Sequence, residues 1–329
     1  MKLVIVNEKL VDKVLGNPIY TENGMLFANK GNTISSAVIK RLKSMGITTI
    51  YIEDGNDEIT LQEVLPTQVK LQILKSLKQI FKEAQEKEYI NYEKTITIVR
   101  DIIQNINLSE NASLISNLAY NDEVSKLALH SLDVTIVTLM VGIRKKFDNA
   151  KLIKLGNAAL LHDIGKLLTD DTSNHTEIGY KLVKRNPEFA VTTYMSIYYL
   201  FEREDGSGPL GVKGEKLNEF VKIISICNEY IENISLDKGI LPHEAVEKIT
   251  AQAVTKFDKD IFKDFVESIY CYPNGLHVKL NNSLSGIVVM QNKGATTRPI
   301  VAVHENDSYR FCNLMDSSNL TLFIQEVLL

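Results

Sequence analysis

The sequence predicts a mainly α-helical protein with a small α/β unit at its N-terminus and a β-rich appendage at its C-terminus. Apolar residues recur at helical spacing through the middle of the 329-residue chain. Short apolar or alternating runs, separated by turn residues, flank that region on both sides. We therefore expect an α/β unit over 1–65, a helical linker or hairpin over 66–110, a helical domain over 111–257, and a helix with the β appendage over 258–329.

Turn and capping residues organise the first part. The pair Asn23-Gly24 lies between two apolar runs and predicts a hairpin, because both residues tolerate positive φ. Ser35 or Ser36 is suited to cap a short helix that ends at Gly46. The β-branched and aromatic residues of 47–52 then predict a strand.

Helical periodicity begins near Thr67. Leu74, Leu77 and Phe81 form one apolar stripe, which predicts a buried face. The lysines of this segment are expected on the opposite, solvated face: Lys70, Lys75, Lys78 and Lys82.

Two further helix starts follow from capping signals in the central domain. Asp122 is expected to cap the helix that carries His130. Asn174 and Glu177 have the spacing of a capping box for a later helix. Tyr194, Tyr198 and Tyr199 occur at helical spacing and are expected to line the core, with stacking on a purine as the alternative.

The C-terminal region changes period again. The runs 276–280, 286–290 and 299–304 predict short strands, because Asn-Asn-Ser and Asn-Lys-Gly turns separate them. The last run, Asn319–Leu329, is expected to form a closing helix.

Composition limits the function classes. The net charge of −4 gives no basic face for long nucleic acid, although a small anion needs only a local pocket. Three scattered cysteines (Cys227, Cys271 and Cys312) indicate a reducing compartment. The chain shows no signal peptide and no membrane-spanning run, so we expect a cytoplasmic protein.

The segment 160–166, Leu-Leu-His-Asp-Ile-Gly-Lys, carries the strongest chemical signal. His162 and Asp163 place an imidazole nitrogen and a carboxylate oxygen side by side, which favours a divalent-metal site. Lys166 is within one turn and could hold a phosphate ester against that metal. His130 and His175 fall on neighbouring predicted helices, and three inward histidines with Asp163 could hold one or two ions.

Four segments of the chain resemble, in the same order, the motifs of the HD-GYP family of metal-dependent phosphohydrolases. They are His130-Ser131, 161–166, His175 and 202–209. The resemblance covers roughly 111–257. It implies an all-helical domain that hydrolyses the bacterial second messenger cyclic di-GMP with the help of a divalent-metal cluster. By matching positions, the metal ligands would be His130, His162, Asp163 and His175, with Asn228 where the family has an Asp. Asp163 and Lys166 would act in catalysis, and Lys166, Arg203 and Lys238 would contact the substrate.

The chain departs from the family pattern at several ligand positions. Leu200 and Phe201 replace two adjacent histidines, and neither side chain can donate a lone pair to a metal. Asn228 offers a neutral amide oxygen in place of a carboxylate, and Lys126 replaces a Glu. The Gly-Tyr-Pro loop is reduced to Gly208-Pro209. We therefore expect at most one divalent ion, such as iron or manganese.

Three function classes remain open at this point. The first is an active cyclic di-GMP phosphodiesterase. The second is a module that binds cyclic di-GMP or a related nucleotide without hydrolysis. The third is an adaptor that contacts protein partners through the 204–214 loop or forms a homodimer through 67–107. Because several metal ligands are missing, we favour the signalling roles with weak or no turnover.

Overall fold

The structure, a computed structural model, describes residues 2–21, 24–47, 49–53, 62–108, 112–113, 122–171, 173–234, 240–305 and 308–328. The helices are α1 (Ser36–Ser44), α2 (Thr67–Lys87), α3 (Tyr92–Asn105), α4 (Glu123–Arg144), α5 (Asn149–Leu160), α6 (His175–Lys184), α7 (Val191–Tyr198), α8 (Glu219–Ile234), α9 (Pro242–Lys256) and α10 (Lys259–Val266). The strands are β1 (Lys2–Ile5), β2 (Ile19–Tyr20), β3 (Leu26–Ala28), β4 (Thr49–Ile52), β5 (Gln62–Glu63), β6 (Ala112–Ser113), β7 (His277–Leu280), β8 (Ser285–Met290), β9 (Ile300–Glu305), β10 (Ser308–Asn313) and β11 (Ile324–Val327). The mainly helical class with a C-terminal sheet is confirmed.

The N-terminal unit packs α1 against two small antiparallel strand pairs, β1 with β4 and β2 with β3. Ser35 caps α1, since its hydroxyl accepts a hydrogen bond from the Val38 amide at 3.3 Å. Gly46 follows α1 with a φ of 73°, a conformation that glycine adopts without strain. The β2–β3 hairpin is confirmed, and its Asn23 lies outside the described residues.

Helices α2 and α3 form a hairpin that packs on α4 and α5 through one apolar cluster. The expectation for Lys70 was wrong: this side chain is only 1% exposed. Lys70 precedes Leu74 by four residues and therefore lies on the apolar face of α2. Burial raises the pKa of Asp133 on α4 to about 6, and the charge of Lys70 opposes that rise.

Helix α4 runs through the centre of the protein. Asp122 caps it as predicted, because its carboxylate accepts a hydrogen bond from the Ser125 amide at 2.8 Å. By length and composition α4 could cross a membrane, but 72% of its most apolar window is buried inside the protein. A buried core helix has the same composition.

The predicted capping box at α6 is wrong. Asn174 precedes this helix with φ −108° and ψ −4°, and its side chain makes no capping hydrogen bond. A capping side chain reaches the amides of the first turn only from an extended backbone conformation. The Asn174 side chain instead donates to the Asp171 carboxylate at 2.6 Å.

The C-terminal sheet has the strand order β10-β9-β8-β7-β11, with every neighbouring pair antiparallel. The predicted closing helix over 319–329 is wrong, because Ile324–Val327 forms the edge strand β11. Strand β11 pairs with β7. Without this partner, the backbone N–H and C=O groups on the outer edge of β7 would lack hydrogen bonds within the sheet. Tertiary pairing therefore decides the structure of this short run.

One apolar cluster connects the C-terminal sheet with the helices. The inner face of the sheet, including Val288, Val301 and Val303, packs with residues of α4, α5 and α8 in a single buried group. Leu3 and Tyr51 of the N-terminal unit join the same cluster. The boundaries at 65, 110 and 257 remain predictions, and buried contacts cross them.

Candidate metal centre

Three chain segments bring the candidate ligands together. His130 lies in the middle of α4, His162 and Asp163 lie between α5 and the 3-10 turn Ile164–Leu167, and Asn228 lies on α8. His162, Asp163 and Asn228 are almost completely buried, and 17% of the His130 side chain is exposed. These donor side chains, here called the pocket, are therefore largely shielded from solvent, and His130 is the most exposed of them.

Gly165 permits the approach of the next helix. A Cβ atom at this position would collide with the backbone carbonyl oxygen of His175, the first residue of α6. Because glycine lacks that atom, α6 packs directly on the turn and its first residue reaches Asp163. The glycine of the His-Asp segment thus has a packing role in the site.

The donor atoms of His130, His162 and Asp163 all lie within 4.8 Å of one another. Nε2 of His130 is 3.2 Å from Nε2 of His162 and 3.6 Å from Oδ2 of Asp163. Nε2 of His162 is 3.3 Å from the same oxygen. Metal–ligand bonds of about 2.0–2.2 Å put neighbouring ligand atoms about 3.0–3.5 Å apart. The spacing therefore fits a single divalent ion.

A backbone carbonyl fixes the ring of His162. Nδ1 of His162 is 2.7 Å from the carbonyl oxygen of Ala159, so this nitrogen donates and carries the proton of the neutral ring. The lone pair is then on Nε2, which faces Asp163 and His130. Histidine metal ligands generally have such a partner on their second nitrogen.

The cluster combines an ionised carboxylate, Asp163, with the neutral imidazole of His130. Burial by itself would raise the pKa of Asp163, but His162, His175 and Lys166 hold it well below its usual value. Burial lowers the pKa of His130 from 6.5 to about 4, and the neighbouring His162 acts in the same direction. His130 is therefore neutral at pH 7 and can donate a lone pair.

Lys166 pairs directly with the carboxylate. Its Nζ lies 2.5 Å from Oδ2 of Asp163, the oxygen that also faces His130 and His162. One third of the Lys166 side chain is exposed, so it can turn toward a ligand at the mouth of the pocket. A metal ion and Lys166 would compete for Oδ2 in this arrangement.

His175 contacts the other side of the carboxylate. Its Nε2 is 3.3 Å from Oδ1 of Asp163, and it does not join the three-residue group around Oδ2. The ring of Phe201 lies edge-on to the His175 ring at a centroid distance of 5.5 Å, while Leu200 is buried. Hydrocarbon therefore occupies the side of the pocket where the family resemblance implies two more ligands.

Asn228, on α8, lies beside the group formed by His130, His162 and Asp163. Its Oδ1 lies 2.9 Å from Nε2 of His130, so the amide oxygen faces the pocket. A neutral oxygen can accept a hydrogen bond there or act as a weak ligand to a divalent ion.

Of the other two predicted substrate cations, Arg203 is not brought into this group. Arg203 is exposed, and in the described part of the chain no contact joins it to the three ligands. Lys238 lies outside the described residues. Lys166 is therefore the predicted substrate contact that the structure places at the pocket.

The residues 204–214, here called the Glu202 loop, are held by a buried carboxylate. Glu202 is 4% exposed and accepts hydrogen bonds from the amides of Leu210 and Val212 at 2.7 and 2.6 Å. In the sequence, Glu202 is recognisable only as the first residue of the segment 202–209. No local sequence signal could have shown this role, because its partners are backbone amides eight and ten residues away.

The donor set of this pocket fits a first-row divalent ion. It combines two imidazoles and a carboxylate, with an amide oxygen beside them, at the spacing of one coordination shell. The oxygen that both imidazoles face is Oδ2 of Asp163, and it would supply the negative charge of that shell.

A family model described as the HD domain matches residues 127–233 of this chain. The cyclic di-GMP phosphodiesterase PA4108 of Pseudomonas aeruginosa is 26% identical over 247 residues, which are 68% of this chain and 58% of that protein. The cyclic di-GMP phosphodiesterase PdeB of Borreliella burgdorferi is 29% identical over 181 residues, which are 49% of this chain and 48% of that protein. The chain thus spans about half the length of these relatives.

Among solved structures, this chain is similar to Bd1817, an HDG"Y"P protein from Bdellovibrio bacteriovorus. The TM-score is 0.46 at 17% sequence identity, and the match covers 80% of this chain and 98% of that one. The matched HD region contains His130, His162, Asp163, His175 and Asn228.

Proposed function

Because the chain belongs to the HD-GYP family of HD-domain proteins, we propose that it is a cyclic di-GMP signalling protein with an eroded metal site. The pocket would hold at most one divalent ion, coordinated by His130, His162 and Asp163, and hydrolysis would be weak or absent. The observation that carries this proposal is that Leu200 and Phe201 occupy two expected ligand positions and that the Phe201 ring lies beside His175.

The named residues have separate tasks in this proposal. A bound divalent ion would supply a Lewis acid for the phosphodiester oxygens. Lys166 would leave Asp163 and bind the phosphate, since its ammonium is partly exposed at the pocket. Ala159 keeps His162 in one tautomer, and Asp163 supplies the negative charge that retains a cation.

Active hydrolysis is the second candidate function. The two curated relatives are named cyclic di-GMP phosphodiesterases, and the group of His130, His162 and Asp163 retains the spacing of a ligand shell. One argument weighs against fast turnover. Hydrolysis of a phosphodiester is fastest where two or more ions stabilise both the attacking and the leaving oxygen. A single ion with a neutral fourth donor favours binding over fast hydrolysis.

A protein-binding role would use the Glu202 loop. Its Leu210 side chain is 49% exposed although the loop backbone is fixed by Glu202, so the loop presents an ordered apolar contact. This adaptor role, a homodimer and a cytoplasmic location remain proposals. The three free cysteines, all buried, are compatible with a reducing compartment.

Metal content tests the proposal directly. We expect the purified protein, stripped with chelator and reloaded with Mn²⁺ or Fe²⁺, to hold no more than one ion per chain by elemental analysis. His162→Ala should lose that ion, whereas His304→Ala, on the distant strand β9, should keep it. Two ions per chain would contradict the proposal.

Nucleotide binding tests the signalling role. We expect cyclic di-GMP to bind in a titration and to be recovered intact, with little pGpG or GMP by chromatography. Lys166→Met should weaken binding about tenfold or more, as for loss of a charged hydrogen bond. Lys181→Met is the control, because Lys181 pairs with Glu177 on an exposed face of α6. Rapid conversion to pGpG would establish the enzyme instead, and no binding would favour the adaptor.

A further inference from the structure

The side chain of Asn228 is held at both ends. Its Oδ1 is 2.9 Å from Nε2 of His130, and its Nδ2 donates to Oε1 of Glu232 at 3.3 Å. Asn228 and Glu232 lie four residues apart on α8 and therefore on the same face of the helix. Only 3% of Asn228 is exposed, so water does not replace these partners freely.

The carboxylate of Glu232 determines which end of the amide faces the pocket. An ionised carboxylate only accepts hydrogen bonds, so it requires the NH₂ group of Asn228 on its side. The amide oxygen is then directed to the imidazoles. Without this acceptor, the amide could turn and present its NH₂ group, which cannot donate a lone pair to a metal.

The same contact restricts position 228 to a neutral side chain. An Asp at this position would put its second carboxylate oxygen where Nδ2 now lies, 3.3 Å from Oε1 of Glu232. Two carboxylates at that distance repel each other, and Asn228 is itself buried. An Asp at 228 would therefore be disfavoured by the carboxylate of Glu232.

We propose that Glu232 is a positioning residue of the metal pocket, which orients the Asn228 oxygen toward the ligands and permits only a neutral donor there. This inference rests on the proposed function in one respect, namely that the pocket binds a divalent ion. It adds that Glu232, which is not itself a ligand, controls the orientation of the Asn228 amide.

Mn²⁺ titration of the full-length chain by calorimetry tests the orienting role. Glu232→Gln retains an acceptor for the Asn228 amide and should keep the affinity within about threefold, while Glu232→Leu should weaken it about 10–100-fold, as for other partners of metal ligands. Glu229→Gln is the matched control, because Glu229 is on the same helix and pairs with Lys256. Wild-type affinity in Glu232→Leu would overturn the proposal.

A double substitution tests the charge restriction. Asn228→Asp alone should bind Mn²⁺ no more tightly than the wild type, because the new carboxylate faces Glu232. Combined with Glu232→Gln, Asn228→Asp should bind about tenfold more tightly than Asn228→Asp alone. Equal affinities of the single and double variants would reject the link between the two positions.

A measurement without metal separates this inference from the proposed function. In chelator-treated protein, ¹⁵N NMR of the imidazoles should show one tautomer of His130 in the wild type and in Glu232→Gln, with Nε2 protonated toward Asn228. Glu232→Leu should shift these resonances. If the wild type binds no Mn²⁺, the metal proposal fails while this readout still decides the role of Glu232. Unchanged resonances in Glu232→Leu would overturn the inference.

Discussion

At the scale of single residues, His130 links the pocket to the pH dependence of stability. Burial lowers the pKa of the folded ring to about 4, whereas the unfolded ring titrates near 6.5. Between these values the unfolded chain binds a proton that the folded chain does not. Stability from this group is therefore complete above pH 6.5 and is lost as the pH falls toward 4.

We expect the free energy of unfolding of chelator-treated protein to fall by about 3 kcal/mol through His130 between pH 7 and pH 4. Urea unfolding across this range measures the slope, and His130→Gln should reduce it. His243 contributes in the same direction, since burial also lowers its pKa, so the difference between wild type and variant isolates His130. Identical slopes would contradict the neutral ring.

The proximity of His130, His162 and Asp163 could be predicted from residue types and spacing, but the surroundings of these side chains could not. His162 and Asp163 are adjacent in sequence, and the structure places them beside His130 as expected. The carbonyl of Ala159, the partner of His162, depends on the backbone at the end of α5. The Lys166–Asp163 pair was also not predicted, because sequence alone does not distinguish a phosphate contact from an ion pair.

At the scale of elements, the Glu202 loop depends on one buried carboxylate. Glu202→Gln replaces one acceptor oxygen with an NH₂ group that faces a backbone amide, so one of the two hydrogen bonds is lost. We expect a loss of about 1–3 kcal/mol in the free energy of unfolding and faster proteolysis within 204–214. Urea unfolding and timed digestion with mass spectrometry measure both.

Glu215→Gln is the control for this experiment, because Glu215 is exposed near the same loop. Its digestion pattern should match the wild type. If Glu202→Gln were as resistant as this control, the fixed loop conformation would have another origin.

The start of a helix could be predicted where its capping side chain bonds to a backbone amide a few residues away. Ser35 and Asp122 cap α1 and α4 through amides three residues away, which a sequence pattern can indicate. The start of α6 was different, because packing against Gly165 determines its position and Asn174 does not cap it. Strand β11 likewise depends on pairing with β7.

At the scale of the whole molecule, the apolar cluster shared by helices and C-terminal sheet makes the sheet part of the folding unit. Val301 of β9 is fully buried in that cluster. We expect Val301→Ala to destabilise the protein by about 2 kcal/mol and to shift helix and sheet unfolding together. Calorimetry with circular dichroism should show one transition at a lower temperature.

Val254→Ala is the matched control, since Val254 on α9 is 94% exposed and its substitution removes no buried contact. Its transition temperature should stay close to that of the wild type. Two separate transitions, with only one moved by Val301→Ala, would show that the appendage folds independently.

The sequence by itself determined the fold class, most elements and the grouping of His130, His162 and Asp163, because periodicity, caps and adjacent donors act over a few residues. Only the tertiary structure decided that Lys70 is buried, that the last segment pairs as a strand, and that Asn228 lies between His130 and Glu232. These features depend on which distant groups meet in a low-dielectric interior. There each buried polar group needs a partner that no local pattern specifies.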